Sequence, residues 1–149
     1  MACGENLRPH IGVNFRVSEI TRKALEACDA QWGASTWDWH ALHQAYRDVD
    51  AFKFAIWVDE TLCGLAIATT TGQSVVLRFV EGSPDVNCPL KGRRILIALE
   101  AAANYGQRRG KRDLKLEPLN EHLINLYETT YGFEVVRPRK GPAFCTKRI

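Results

Sequence analysis

A short basic turn made of Lys91, Gly92, Arg93 and Arg94 carries the side chains of this chain that are best suited to chemistry. It leads into the segment Arg93–Arg109, whose apolar residues recur at helical spacing and form one face. The free backbone N–H groups of a helix N-terminus attract anions, and the added cations strengthen that attraction. The turn therefore predicts a site for an anionic ligand, typically a phosphate; the alternative is a solvated basic loop.

Two further groups of residues have the composition of a metal or redox site but lack its spacing. His40 and His43 lie three residues apart on a predicted helix, without a cysteine or carboxylate partner in the pattern, so no metal site is predicted. The five cysteines are scattered and form no C-x-x-C pair. This pattern favours reduced thiols and a cytoplasmic protein over a disulfide framework or a zinc site.

The length and composition set limits on the class of protein. A chain of 149 residues can form a single domain, residues 1–149, with a substantial core. Its formal net charge of +3 permits an anionic ligand but does not require nucleic acid. The first ten residues lack the apolar run of a signal peptide, and no segment approaches the length of a membrane span. The oligomeric state stays open, a homodimer included.

Upstream of residue 50 the sequence predicts a strand at Ile11–Val17 and two helices. Ser18 is expected to cap the first helix, which Gly33 ends, and the second helix begins near Ser35 or Thr36. Three tryptophans cluster at the junction of these helices: Trp32, Trp37 and Trp39. Aromatic side chains usually fill cores, and the alternative is that these form the wall of an acceptor pocket.

Three segments in the middle of the chain alternate in the manner of β-strands and are joined by short turns. They are Phe52–Val58, Leu62–Thr70 and Ser74–Val80. This arrangement predicts an antiparallel meander. Because side chains alternate between the two faces of a strand, Val75, Leu77 and Phe79 are expected to share one face of the third.

The remaining segments predict a helix, a strand, a second helix and two final strands. The helix Arg93–Arg109 is followed by a strand at Arg112–Glu117, which implies a right-handed crossover and parallel pairing with Ser74–Val80. Asn120 is expected to cap a short helix that Gly132 ends. The two final strands are Phe133–Val136 and Ala143–Lys147.

This order of elements resembles the GNAT superfamily of acyl-CoA-dependent N-acyltransferases, and three motifs carry the resemblance. Asn120–Phe133, NEHLINLYETTYGF, is similar to the family's final motif, an asparagine before a helix that bears Leu-Tyr-Glu and ends in Gly-Phe. Leu62–Ala66, LCGLA, resembles its second meander strand, and Lys91–Leu99, KGRRILIAL, resembles its pyrophosphate loop and helix. The resemblance implies a mixed α/β (α+β) fold with a mostly antiparallel mixed sheet, splayed between strands 4 and 5, and helices on both faces.

The resemblance also implies a reaction and the residues that carry it. An amine would attack acetyl-CoA directly, without a metal, and the pantetheine arm would enter the gap between strands 4 and 5. The cofactor-binding residues would be Phe79, Val80, Lys91, Gly92, Arg93, Arg94 and Asn120. Tyr127 would act as the general acid towards the leaving thiolate, and Glu81, at the end of the fourth strand, is the candidate base. The sequence does not identify the amine acceptor.

The pyrophosphate loop departs from the glycine pattern of the family. Aligned through the helix, Arg94 replaces the first glycine and Leu96 the second; in an alternative alignment Gly92 is the first glycine and Arg94 stands at the second. Glycines there normally let the backbone approach a phosphate. Arg94 offers charge-assisted hydrogen bonds instead. The competing hypothesis is an inactive GNAT-like binding module whose basic residues contact an anionic partner such as nucleic acid. Those residues are Arg108, Arg109, Lys111, Arg112, Arg137, Arg139 and Lys140.

Overall fold

The structure is a computed structural model that describes residues 13–47, 50–118 and 120–149. A seven-stranded sheet with the order β1-β2-β3-β4-β5-β7-β6 forms its centre. The strands are β1 (Arg16–Glu19), β2 (Ala51–Val58), β3 (Thr61–Thr71), β4 (Ser74–Gly82), β5 (Asp113–Leu116), β6 (Glu134–Val136) and β7 (Phe144–Arg148). The helices are α1 (Arg22–Ala27), α2 (Trp39–Ala45), α3 (Arg94–Arg108) and α4 (Glu121–Thr129). Within the described ranges, none of the helices is long and apolar enough to cross a membrane.

Helices cover both faces of the sheet and bury two separate cores. On one face, strand residues such as Phe54 and Val75 pack against α3 and α4, where Ile97 and Tyr127 are buried. On the other face, Trp57 and other residues of β2 and β3 pack against α1 and α2. The sheet is antiparallel except where β4 and β5 run parallel. These findings confirm the predicted fold class, the meander and the parallel crossover.

A β-bulge in β4 makes the predicted alternation of that strand wrong. Leu77 pairs with Ala68 and Phe79 pairs with Ile67, so Arg78 is an extra residue with no partner on β3. An extra residue shifts every later side chain of the strand to the opposite face. Phe79 therefore packs in the core beneath α1 and α2, away from Leu77.

The first strand begins later than the sequence predicted. β1 is Arg16–Glu19, not Ile11–Val17, and residues 11 and 12 lie outside the described part of the chain. Ser18 lies inside this strand instead of capping a helix, and its hydroxyl accepts a hydrogen bond from the Trp57 indole N–H at 3.0 Å. Pairing with β2 offered these residues a ladder of hydrogen bonds, which outweighed the local capping preference of serine.

The boundaries of the two N-terminal helices also differ in part from the prediction. α1 continues as a π-helical turn over Cys28–Trp32, and Gly33, with φ of 70°, ends it as expected. α2 begins at Trp39 rather than near Ser35, because the Asp38 carboxylate accepts a hydrogen bond from the Ala41 backbone N–H at 3.1 Å. Aspartate is a strong N-cap, so it sets the start of this helix.

The C-terminal elements follow their sequence signals closely. Asn120 caps α4 through a hydrogen bond of 2.9 Å from the Leu123 backbone N–H. Gly110 and Gly132 adopt positive φ values of 72° and 73° just after α3 and α4. Left-handed backbone at these positions suits glycine and ends both helices as predicted. The Phe133 N–H then bonds to the Tyr127 carbonyl at 3.0 Å, which closes the end of α4.

Gly106 shows how closely α3 approaches the sheet. A Cβ atom at this position would lie 2.6 Å from Val75 Cγ1 and 2.9 Å from Ile149 Cδ1. We expect Gly106→Ala to lower the free energy of unfolding by about 1–3 kcal/mol, the usual effect of overpacking. In a solvent-exposed helix the same change would raise the free energy of unfolding by about 1 kcal/mol. Urea denaturation measures the free energy of unfolding of both proteins. The control is Gln107→Ala, at the exposed neighbouring residue. A Gly106→Ala variant more stable than the wild type would contradict this packing.

Candidate active site

A cleft opens where β4 and β5 diverge. The two strands pair from Ser74 with Asp113 to Leu77 with Leu116, after which β5 ends while β4 continues to Gly82. The bulge at Arg78 lies just beyond the last pair. The resulting cleft has a volume of about 90 Å³ and is lined by Trp37, Leu77, Arg78, Val80, Leu116, Glu117, Pro118, Leu123 and Tyr127. The parallel pair is therefore splayed as predicted.

Tyr127 reaches this cleft from α4. Its side chain is 4% exposed, and its ring packs against the rings of Tyr131 and Phe133. Within the described residues the hydroxyl contacts no hydrogen-bond partner. Burial, together with Tyr131 and Cys145, raises the pKa of Tyr127 to about 12. The phenol therefore keeps its proton at neutral pH and can donate a hydrogen bond into the cleft.

Glu81 lies on the other side of β4 from the cleft, because it follows the bulge and pairs with Leu65. Its carboxylate accepts hydrogen bonds from the Thr36 backbone N–H at 2.7 Å, the Trp37 backbone N–H at 3.3 Å and the Trp39 indole N–H at 2.8 Å. These bonds hold the α1–α2 loop against the end of β4. Its role as a base stays a prediction.

Glu117 is a cleft carboxylate that the sequence motifs did not indicate. It directly follows β5 and lines the same cleft as Tyr127. Within the described part of the chain its carboxylate forms no ion pair and no hydrogen bond. One signal was available: a carboxylate before Pro118 marks the carboxyl end of a parallel strand, and such ends meet at one edge of a sheet.

The three tryptophans of the helix junction divide between core and cleft. Trp32 and Trp39 are buried to 5% and 2% exposure. Trp37 is partly exposed and lines the cleft, with its ring edge-on to Phe79 at 5.5 Å and to Trp39 at 6.3 Å between centroids. The core interpretation therefore holds for Trp32 and Trp39, and the role of Trp37 as the wall of an acceptor pocket stays a prediction.

The basic turn before α3 borders a second groove of about 220 Å³. This groove is lined by Gly92, Arg94, Ile95, Leu126 and Tyr131, so it lies between the start of α3 and α4. Gly92 has a φ of 84°, a conformation that favours glycine. Lys91 and Arg93 are exposed on the same turn. A helix N-terminus with two exposed cations suits an anionic ligand, and the binding of a phosphate here stays a prediction.

Arg94 does not extend towards solvent. Its Nη1 donates a hydrogen bond of 2.5 Å to the Ser83 carbonyl, and its guanidinium lies against Gly82, where any Cβ would collide with it. Arg94 thus joins the end of β4 to the start of α3.

Three other predicted cofactor-binding residues lie in different places. Val80 lines the cleft and Asn120 caps α4, whereas Phe79 faces away from the cleft. Their contacts with a cofactor stay predictions.

Several cations that the competing hypothesis assigned to an anionic partner already have partners in the protein. Arg109 pairs with Asp50 at 2.8 Å, and Arg137 forms a two-pronged pair with Glu121 at 3.0 Å. Lys111 donates to the Gly72 carbonyl at 2.8 Å. These contacts weaken the argument for a nucleic-acid surface.

His40 has a carboxylate neighbour that the sequence pattern did not indicate. Its Nε2 lies 2.8 Å from Asp29 Oδ2. No group of three or more potential metal ligands occurs among residues 13–47, 50–118 and 120–149.

Solved structures with the same fold include several N-acetyltransferases. The ribosomal-protein-S18-alanine N-acetyltransferase from Escherichia coli aligns with a TM-score of 0.65 and 19% identity, over 91% of this chain and 94% of that one. The PaiA N-acetyltransferase from Thermoplasma acidophilum, in complex with coenzyme A, gives 0.62 and 13% over 92% and 100%. The N-acetyltransferase PseH from Campylobacter jejuni gives 0.61 and 14% over 90% and 97%.

No family model and no curated protein sequence matches the chain. At the identities of the solved structures, the likeness establishes the fold. The chain has the fold of the GNAT superfamily, which confirms the resemblance that its motifs predicted.

The role of Glu81 in holding the α1–α2 loop can be measured by amide hydrogen exchange. We expect Glu81→Ala to speed exchange at the Thr36 and Trp37 amides roughly tenfold or more, because each loses a charge-assisted hydrogen bond. Glu117→Ala removes a carboxylate that the loop does not contact and is the matched control. Unchanged protection in Glu81→Ala would show that other contacts hold the loop.

Proposed function

We propose that this protein is an acetyl-CoA-dependent N-acetyltransferase that transfers the acetyl group directly to an amine. The observation that carries the proposal is the cleft between β4 and β5, which is lined by the buried phenol of Tyr127 and by the Glu117 carboxylate, unpaired among the described residues. The groove beside Gly92 and Arg94 supports binding of the phosphate end of the cofactor. The acetyltransferase activity of proteins with this fold adds support.

In the proposed reaction Glu117 takes a proton from the acceptor ammonium, and the neutral amine attacks the thioester carbonyl. A C–N bond forms, the C–S bond breaks, and its electron pair leaves with the CoA sulfur. The nitrogen then carries one proton more than the amide product, and this proton passes to the departing thiolate, so the products are the N-acetylated amine and the CoA thiol. Glu117 is better suited to this task than Glu81, because the Glu81 carboxylate already accepts three hydrogen bonds from the α1–α2 loop. A general base must reach the proton that it removes.

Tyr127 stabilises the leaving thiolate in this scheme. A phenol with a pKa of about 12 is a weaker acid than an ordinary thiol of pKa about 8.5, so complete proton transfer to an exposed thiolate would be unfavourable. Burial in the cleft would also raise the pKa of the CoA thiol, which reduces the difference between its pKa and that of Tyr127. The main contribution of Tyr127 is therefore a hydrogen bond that strengthens as negative charge develops on sulfur.

The first test replaces Tyr127 with phenylalanine, which keeps the ring and removes the donor. We expect kcat to fall by roughly 10²-fold, the usual scale of such a group, with little change in acetyl-CoA affinity measured by calorimetry. Tyr105→Phe removes a hydroxyl that bonds to Asp50, far from the cleft residues, and should leave kcat unchanged. An equal kcat in wild type and Tyr127→Phe would make Tyr127 a core residue only.

The second test identifies the base. Glu117→Gln should lower kcat/KM at neutral pH, and the deficit should shrink at high pH, because a greater fraction of the acceptor amine is then already neutral. Glu81→Gln is the matched comparison. If this pH-dependent loss occurs in Glu81→Gln and not in Glu117→Gln, the base is Glu81, as the sequence predicted.

A further inference from the structure

A third groove, of about 240 Å³, lies beside the cleft. Arg78, Leu116 and Glu117 line both, so the two spaces meet at the point where β4 and β5 separate. The remaining wall of this groove includes Val76, Lys115 and Phe144. A molecule in the groove would therefore reach Glu117, which also lines the cleft with Tyr127.

This groove lies on the opposite face of the sheet from α3 and α4. Val76 and Lys115 alternate with Val75 and Leu114, which are buried in the core beneath those helices. The core beneath α1 and α2 includes β2 and β3 but, within the described residues, no member of β5, β6 or β7. The groove is thus open to an acceptor, while the groove beside Gly92 and Arg94, proposed for the cofactor phosphates, lies on the other face of the sheet.

Two cations line the groove, and neither has an anionic partner among the described residues. The Arg78 Nε donates to Thr69 Oγ1 at 2.9 Å, which orients the guanidinium and leaves its terminal nitrogens unpaired among the described residues. The Lys115 ammonium lies 5.4 Å from the centre of the Phe144 ring and, in the same part of the chain, forms no ion pair. Glu117 shares the groove with both yet pairs with neither.

Resting on the proposed function, we propose that the acceptor is a small amine that also carries a carboxylate. Its amino group would lie at Glu117, and Arg78 and Lys115 would bind its carboxylate through charge-assisted hydrogen bonds. The same two cations would repel a diamine or polyamine. The groove is smaller than the roughly 300–1,000 Å³ of sites for drug-sized ligands, which favours a short acceptor.

Three amines of similar length test whether the acceptor carries a carboxylate, an apolar end or a second amine. They are γ-aminobutyrate, n-butylamine and putrescine. We expect kcat/KM for γ-aminobutyrate to exceed that for the other two by at least about tenfold, the scale of one charge-assisted hydrogen bond. Arg78→Gln should remove most of this preference through KM. Arg139→Gln, which removes an exposed cation of the β6–β7 loop, should keep it.

A wild-type preference for n-butylamine or putrescine, or an unchanged preference in Arg78→Gln, would overturn the inference. A binding measurement keeps the test independent of turnover: γ-aminobutyrate should bind to the CoA-saturated wild type and bind more weakly to Arg78→Gln. CoA binding without γ-aminobutyrate binding overturns this inference alone. Failure to bind CoA and acetyl-CoA at all overturns the proposed function on which it rests.

Discussion

The single extra residue at Arg78 is the constraint on which the rest of the site depends. Up to Leu77 the strand β4 pairs on both sides, with β3 and with β5. Beyond the bulge the side chains exchange faces, and β4 keeps its partner β3 while it separates from β5. Val80 then faces the cleft, and Glu81 faces the α1–α2 loop. One inserted residue thus opens the cleft and places the loop that borders it.

The two glutamates near the cleft show how environment assigns different tasks to the same side chain. Glu81 accepts bonds from two backbone amides and an indole, so its carboxylate is a structural element of the α1–α2 loop. Glu117 directly follows β5, at the point where that strand separates from β4, and the described residues offer its carboxylate no donor. A carboxylate without protein partners retains its capacity to bind a proton or a cation from a ligand.

Local signals in the sequence were enough to predict most of the fold. The alternation of β2 and β3, the Asn120 cap and the glycines that end α3 and α4 each depend on a few neighbouring residues. The bulge depends on pairing between strands, so the alternation within β4 did not reveal it, and Phe79 was placed on the wrong face. The site was predicted less completely for the same reason: the partners of Glu81 lie more than forty residues away in the chain.

The divergence of the strands also creates an edge inside the sheet. From Phe79 to Gly82 the side of β4 that faces away from β3 adjoins no strand in the described part of the chain, although this stretch lies in the middle of a seven-stranded sheet. Backbone N–H and C=O groups there need water or an extended molecule with amide groups of its own. A ligand that pairs with this edge would occupy the place of an additional strand. It would bridge the two halves of the sheet, so occupancy of the cleft would stabilise the folded domain.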